Sequence, residues 1–222
     1  LDTNNFIKKI HPYPHKSSEY KQNLVNAALY AINKKCLNIK LDDNESPDFA
    51  KDFFPQLLIK KGKIIGYKSQ EYIKDIGTPD RLDAVIRDLA NNKVQKLSSS
   101  NKKIAVFLDR DGTINKEIGH INHPQQIKLI NGAAEGIKKI NNSGLLAIVI
   151  TNQAVIARGE CTEQQLKKIH NKIETNLGEN GSYLDNIYYC PHHPDSGFKG
   201  EVKKLKINCT CRKPNTGLFM KA

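Results

Sequence analysis

A continuous apolar run, Ile104 to Leu108, passes directly into Asp109-Arg110-Asp111-Gly112-Thr113, and no other junction constrains the chain as much. A short unbroken apolar stretch suits a strand buried on both faces of a parallel sheet. Acidic residues at the carboxyl end of such a strand stand where open α/β sheets hold their ligands. The pattern then alternates. Ala133 to Ile140 has helical spacing and is closed by Asn142-Ser143-Gly144, and Leu145 to Ile150 is a second apolar run. Thr162 and Gln165 form a capping-box pair opening a helix that ends near Gly178, and Ile187 to Tyr189 reads as a third strand. The expected fold is therefore α/β, a Rossmann-like parallel sheet covered by helices.

Three strand ends carry groups suited to chemistry. Asp109 can attack phosphorus to give an aspartyl phosphate, and Asp111 can protonate the leaving oxygen and then activate water. Two carboxylates so close repel, and Mg²⁺ is the hard cation that suits them together with phosphate. A capped turn is the blander reading of the same residues. Thr151-Asn152-Gln153 leaves the second strand, where a hydroxyl can meet a phosphoryl oxygen and amides can select substrate; a simple polar turn is the alternative. Cys190-Pro191-His192-His193 and Cys209-Thr210-Cys211 follow the third strand. Three thiolates and one imidazole make a closed tetrahedral zinc shell, structural in kind, with either His192 or His193 as the nitrogen ligand. Arg212-Lys213 follows at once, a cation pair that an anchored loop would deliver to a phosphate.

Upstream the signals are weaker. Leu24 to Ile32 is strand-like, Pro47 to Lys60 has helical spacing bent or ended at Pro55, and Ile64 to Ile76 reads as two short strands. Thr78-Pro79-Asp80 opens a helix whose apolar face is Leu82, Val85, Ile86 and Leu89. The polar, Ser-rich stretch Asn91 to Lys103 reads as a linker. The expected division is a domain over 1–92, a linker over 93–102 and a second domain over 103–222.

The formal charge of +12 admits a nucleic-acid partner, but the lysines are scattered and no basic stripe forms, so solvated surface is the preferred reading. A mean hydropathy of -0.56 and the lack of a long apolar run argue against a membrane span. Leu1 to Phe6 shows no leader, the chain does not open on Met, and it is read as starting inside a longer one in the cytoplasm. Five cysteines, an odd number, argue against a disulfide framework.

Taken together, Leu108-Asp-Arg-Asp-Gly-Thr113, Thr151-Asn-Gln153, Ala157-Arg-Gly159, Cys190-Pro-His-His-Pro194 and Cys211-Arg-Lys-Pro214 resemble the D-glycero-D-manno-heptose-1,7-bisphosphate phosphatase family, a zinc-containing branch of the haloacid dehalogenase superfamily. The resemblance runs from about Lys102 onward. It implies hydrolysis of the C7 phosphate, with Asp109 as nucleophile and Asp111 as general acid/base, both at the Mg²⁺ site. It further implies that Thr151 and Lys213 hold the phosphoryl group and that Asn152, Gln153 and Arg212 contact a small sugar phosphate. Glu117 to His120 matches a substrate-contacting loop. Zinc would be held by Cys190, His192, Cys209 and Cys211. Ala154-Val155 replaces the family's usual Ser-Gly, and the family's third acidic metal ligand falls beyond Ala222. The upstream unit, residues 1–92, resembles the C-terminal part of sugar-1-phosphate nucleotidyltransferases through Asn23 to Tyr30, Asp52-Phe-Phe-Pro55 and Tyr72 to Pro79. That likeness implies a partial α/β domain with Asp75 as a Mg²⁺ ligand, against its reading as a turn residue. Histidinol-phosphate phosphatase, polynucleotide 3′-phosphatase and a non-catalytic zinc-stabilised binding module are the competing expectations.

Overall fold

The structure, a computed structural model, describes residues 1–2, 4–11, 19–41, 46–197 and 199–222. Thr3 of the N-terminal stretch and Phe198 of the cysteine loop lie outside them. The chain forms two compact units, one of residues 1–19 and 24–69, the other of residues 20–23 and 70–222.

The second unit is built on three parallel strands in the order β1 (Ala105–Leu108), β2 (Leu146–Asn152) and β3 (Asn186–Cys190). Ala105 pairs with Leu146, and Ile148 with Asn186, so β2 is central. All of Leu146 to Thr151 is buried, as an unbroken apolar run in a sheet covered on both faces requires. Alternation sorts its side chains. Ala147 and Val149 join a core with Ala134 and Ile137 of α4 (Ala133–Asn142) and with Leu166, Ile169, Ile173 and Leu177 of α5 (Glu163–Glu179). Leu146, Ile148 and Ile150 face the other way, against Leu97 of α3 (Lys93–Leu97) and Leu218 of α6 (Gly217–Lys221). The Thr162–Gln165 capping box that opens α5 is formed in full. The α/β class and the parallel sheet are thus as the alternation predicted.

Several upstream expectations are corrected. The stretch 93–102 is no simple linker, because α3 lies in it and Leu97 is buried against β2. The units divide instead between Ser69 and Gln70. The strand-like run Leu24 to Ile32 is not a strand, and Val25 and Leu29 are almost fully exposed. A strand needs a partner for its backbone groups, and none is aligned with it among the described residues. Ile64 to Ile76 gives one antiparallel bridge, Ile65 to Phe6, in place of two strands. The helical prediction near Pro55 holds: a π-helical turn, Phe49–Phe53, runs into α1 (Phe54–Ile59), with Pro55 in its first turn. Phe53, Phe54 and Leu57 form the small core of the first unit. Among the described residues that unit has no extended sheet. In the second unit α2 (Pro79–Ala90) opens with Pro79 in its first turn as expected, but Thr78 makes no side-chain cap bond, and Leu82, Ile86 and Leu89 are about half exposed. No helix among the described residues is long and apolar enough to cross a membrane.

Candidate active site

The end of β1 makes a tight turn in which the Ile114 and Asn115 amides both donate to the Arg110 carbonyl. Gly112 supplies the left-handed residue (φ 74°) that this turn requires. The turn separates the fates of the two aspartates. Asp109 keeps a carboxylate that is 45% exposed, with Oδ2 at 2.6 Å from Lys213 Nζ and Oδ1 accepting from the Arg110 amide. Asp111 turns inward. Its Oδ1 accepts from Arg110 Nε at 2.9 Å and Asn115 Nδ2 at 2.9 Å, and its Oδ2 from Arg110 Nη2 at 2.8 Å and Gln153 Nε2 at 3.0 Å. Those donors fill the lone-pair sites of a carboxylate. Burial pushes the Asp111 carboxyl up, but the paired Arg110 guanidinium with Asn115 and Gln153 outweighs it and holds the group below its ordinary value.

Arg110 and Asn115 hold Asp111 in this arrangement, and motif reading missed both. Arg110 stands between the two acids and is only 2% exposed, so it belongs to the site and not to the surface. Spacing alone could not show this, because an acid flanks Arg110 on each side and the turn decides which one it meets.

Thr151 is buried, and its Oγ1 accepts from Gln153 Nε2 at 2.8 Å, so Gln153 links the ends of β1 and β2. Asn152 is committed to the backbone of Lys213. Its Oδ1 accepts from Lys213 N at 2.9 Å and its Nδ2 donates to Lys213 O at 3.2 Å, which fixes the ammonium opposite Asp109. Arg212 Nη1 donates to the His192 carbonyl. Glu117 accepts from the Gly119 amide within its own loop, and His120 pairs with Glu160 at 2.8 Å. Asp111, Glu117, His120, Asn152, Gln153 and Arg212 line one cavity of about 170 Å³, together with Arg110, Arg158 and His193. Asp109, Thr151 and Lys213 are not part of that lining.

Cys190, His192, Cys209 and Cys211 place one ligand atom each within 4.8 Å of one another. Sulfur–sulfur separations are 3.2 to 3.5 Å, and His192 Nδ1 lies 3.3 Å from Cys211 Sγ and 3.7 Å from Cys190 Sγ. Zn–S bonds of about 2.3 Å in a tetrahedron set sulfurs about 3.7 Å apart, so the four residues would take the ion after a small outward shift of the sulfurs. His193 points elsewhere, toward Asp195. Burial and the neighbouring thiols push the Cys190 thiol up, so three thiolates here need a cation among them. Among the described residues Asp75 belongs to no such group. Its carboxylate is exposed, accepts from Gly77 N and pairs with Arg81, the arrangement of a turn residue.

No family model matches the chain. It is 39% identical over 118 residues to the D-glycero-beta-D-manno-heptose-1,7-bisphosphate 7-phosphatase of Escherichia coli, covering 53% of this chain and 60% of that protein. It is 40% identical over 121 residues to the protein of the same name in Haemophilus ducreyi, covering 54% of this chain and 64% of that one. The solved structure of a HAD-like phosphatase from Mesorhizobium loti shares 32% identity over 54% of this chain and 55% of its own, with a TM-score of 0.49. The chain spans less than two thirds of the length of these relatives. Over about half its own length it is a homologue of proteins named heptose-1,7-bisphosphate 7-phosphatases.

Proposed function

We propose that the chain carries a phosphomonoesterase site that works through an aspartyl phosphate on Asp109. Its substrate is proposed to be D-glycero-D-manno-heptose 1,7-bisphosphate, from which the C7 phosphate is removed. The observation that carries the reading is the exposed Asp109 carboxylate at a parallel strand end, 2.6 Å from Lys213 Nζ, in a chain similar to proteins of that name. The Asp109 oxygen forms the bond to phosphorus as the sugar oxygen leaves, and water then breaks the acyl phosphate and frees the carboxylate. Lys213 balances the phosphoryl oxygens throughout.

Asp111 is the proposed acid and base. As arranged it is a fixed anion, so this role requires its carboxylate to turn away from Arg110 and Gln153. Mg²⁺ would be held by Asp109, and by Asp111 only after the same turn, since both oxygens of Asp111 are occupied. When bound, that ion would neutralise the charge gathered on the phosphoryl oxygens. Zinc would be held by Cys190, His192, Cys209 and Cys211 as a structural ion. The upstream residues are proposed to belong to a nucleotidyltransferase that uses the remaining sugar 1-phosphate, with the fusion as a cytoplasmic supply of activated heptose.

The test is phosphate release from heptose 1,7-bisphosphate by the purified chain with Mg²⁺. Release that falls at least about 1,000-fold in Asp109→Asn is expected, the scale on which loss of a nucleophile acts. No release above the buffer rate would end the proposal.

A further inference from the structure

Arg110 gives Nε and Nη2 to Asp111, while its third nitrogen, Nη1, is buried with no hydrogen-bond partner among the described residues. A guanidinium is planar, so Nη1 stands on the side turned away from Asp111. The sheet register shows what lies there. Leu108 is level with Val149, and Val149 with Ile187. Two residues on, Thr151 is level with Tyr189, and alternation keeps both on the same face. That face packs on α5: Leu108, Val149, Ile187 and Tyr189 join the core of Leu166, Ile169 and Ile173. Arg110, two residues past Leu108, is buried at this end of it. The Tyr189 ring meets the ring of His170, from α5, edge-on at 5.7 Å between centroids. His170 Nε2 is also buried without a partner. The Arg110 charge acts on His170 and on Cys161, just before α5.

We infer that His170 is a positioning residue whose neutral Nε2 accepts from Arg110 Nη1, in direct contact or across one water, and so fixes the guanidinium that holds Asp111. The inference rests on the phosphatase reading above and adds a residue to it. A buried donor and a buried acceptor each carry a desolvation cost when left alone, and together they remove it. Burial first, then the Arg110 charge, outweighs the opposite pull of Asp111 and holds the His170 ring neutral down to about pH 3. The ring therefore offers a lone pair at neutral pH.

Anchoring of this kind has a use in the reaction. Asp111 must turn away from Arg110 to act as acid and base. A guanidinium held at Nη1 stays behind while the carboxylate turns, and receives it again afterwards. One released from His170 is free to follow the carboxylate toward the phosphoryl group and hold it back from the chemistry.

The experiment has two arms. In the first, kcat and KM on heptose 1,7-bisphosphate with Mg²⁺ are measured for the wild-type chain, His170→Phe and His170→Gln, each checked for folding by circular dichroism. His170→Phe keeps the ring shape and loses the acceptor. Its kcat should fall at least about tenfold with KM within about twofold, and His170→Gln, which restores an acceptor, should recover to within about threefold of wild type. Equal losses in both folded variants, or no loss in His170→Phe, would overturn the inference. The second arm needs no turnover: long-range proton–nitrogen NMR of the wild-type chain at neutral pH reads the His170 tautomer. A bare Nε2 is expected, and its resonance should move in Arg110→Lys, which removes Nη1 but keeps the charge. A proton on Nε2, or a resonance that Arg110→Lys leaves in place, would overturn the pairing even if His170→Phe does not fold. A wild type that releases no phosphate ends the phosphatase reading and the catalytic role of His170 with it, whereas a failed second arm leaves that reading standing.

Discussion

At the scale of single residues, the unusual feature is a buried cation. Arg110 is among the largest side chains the fold encloses, and it spends its charge on the adjacent Asp111. Removing one member of a buried pair strands the other, at a cost of about 3–5 kcal/mol. Arg110→Met should therefore lower the unfolding free energy, measured in urea, by an amount on that scale. It should also raise the Asp111 carboxyl, because burial would then act without its counterweight. In the wild type the depressed Asp111 value adds stability that is full above the unfolded carboxyl range of about 4 and is lost as pH falls through the folded value. The acidic limb of the pH–rate profile should move upward in Arg110→Met; an unmoved limb would separate Asp111 from the chemistry.

A second buried group acts in a different pH window. Burial first, then the charge of Arg110, pulls His170 down to about 3, and its Nε2 is buried without a hydrogen-bond partner. The folded value lies below the unfolded value of about 6.5, so the unfolded chain takes up the proton first. Stability is then full above about pH 6.5 and falls as pH drops toward 3, by at most about 1.4 kcal/mol per pH unit from this group. His170→Phe should flatten that slope between pH 6.5 and 4 in urea titrations. An unchanged slope would mean that another group is responsible.

At the scale of elements, the loop between the cysteine pairs connects the metal group with the cavity wall. Val202 bonds to Ala157, and Gly159, at φ 73°, lies so close to the Gly200 carbonyl that a Cβ would collide with it. Gly159→Ala adds about 1–2 kcal/mol of left-handed backbone strain and about 1–3 kcal/mol of overpacking. It should lower the unfolding free energy measured in urea by a sum on that scale, and an unchanged value would mean that the loop gives way at Gly200. Cys209→Ser should lose bound zinc by elemental analysis and make residues 191–208 the first site of proteolysis. A variant that kept both zinc and protease resistance would remove Cys209 from the ligand set.

At the scale of the whole molecule, the sequence was readable where burial is two-sided and opaque where it is not. Runs such as Leu145 to Ile150 announce a central parallel strand because every residue must be apolar, and the Thr162–Gln165 cap carries its own hydrogen bonds. The gathering of Cys190, His192, Cys209 and Cys211 was legible because the two short pairs follow one strand end in ligand-like spacing. Leu24 to Ile32 misled because β-branched and leucine residues do not make a strand without a neighbour to pair with. Leu97 was hidden among polar residues, since a single buried side chain is enough to dock α3. The Arg110–Asp111 pairing escaped because facing is decided by the turn at Gly112, not by the spacing of the motif.

Asp109 is the proposed nucleophile at phosphorus, and trapping the aspartyl phosphate tests that role most directly. The chain would be mixed with heptose 1,7-bisphosphate and Mg²⁺, quenched in acid within one turnover, and the peptide containing Asp109 weighed by mass spectrometry. A phosphoryl adduct on Asp109 that disappears with time, and is missing from Asp109→Asn, is the predicted result. Phosphate release without any adduct on Asp109, and undiminished in Asp109→Asn, would contradict it.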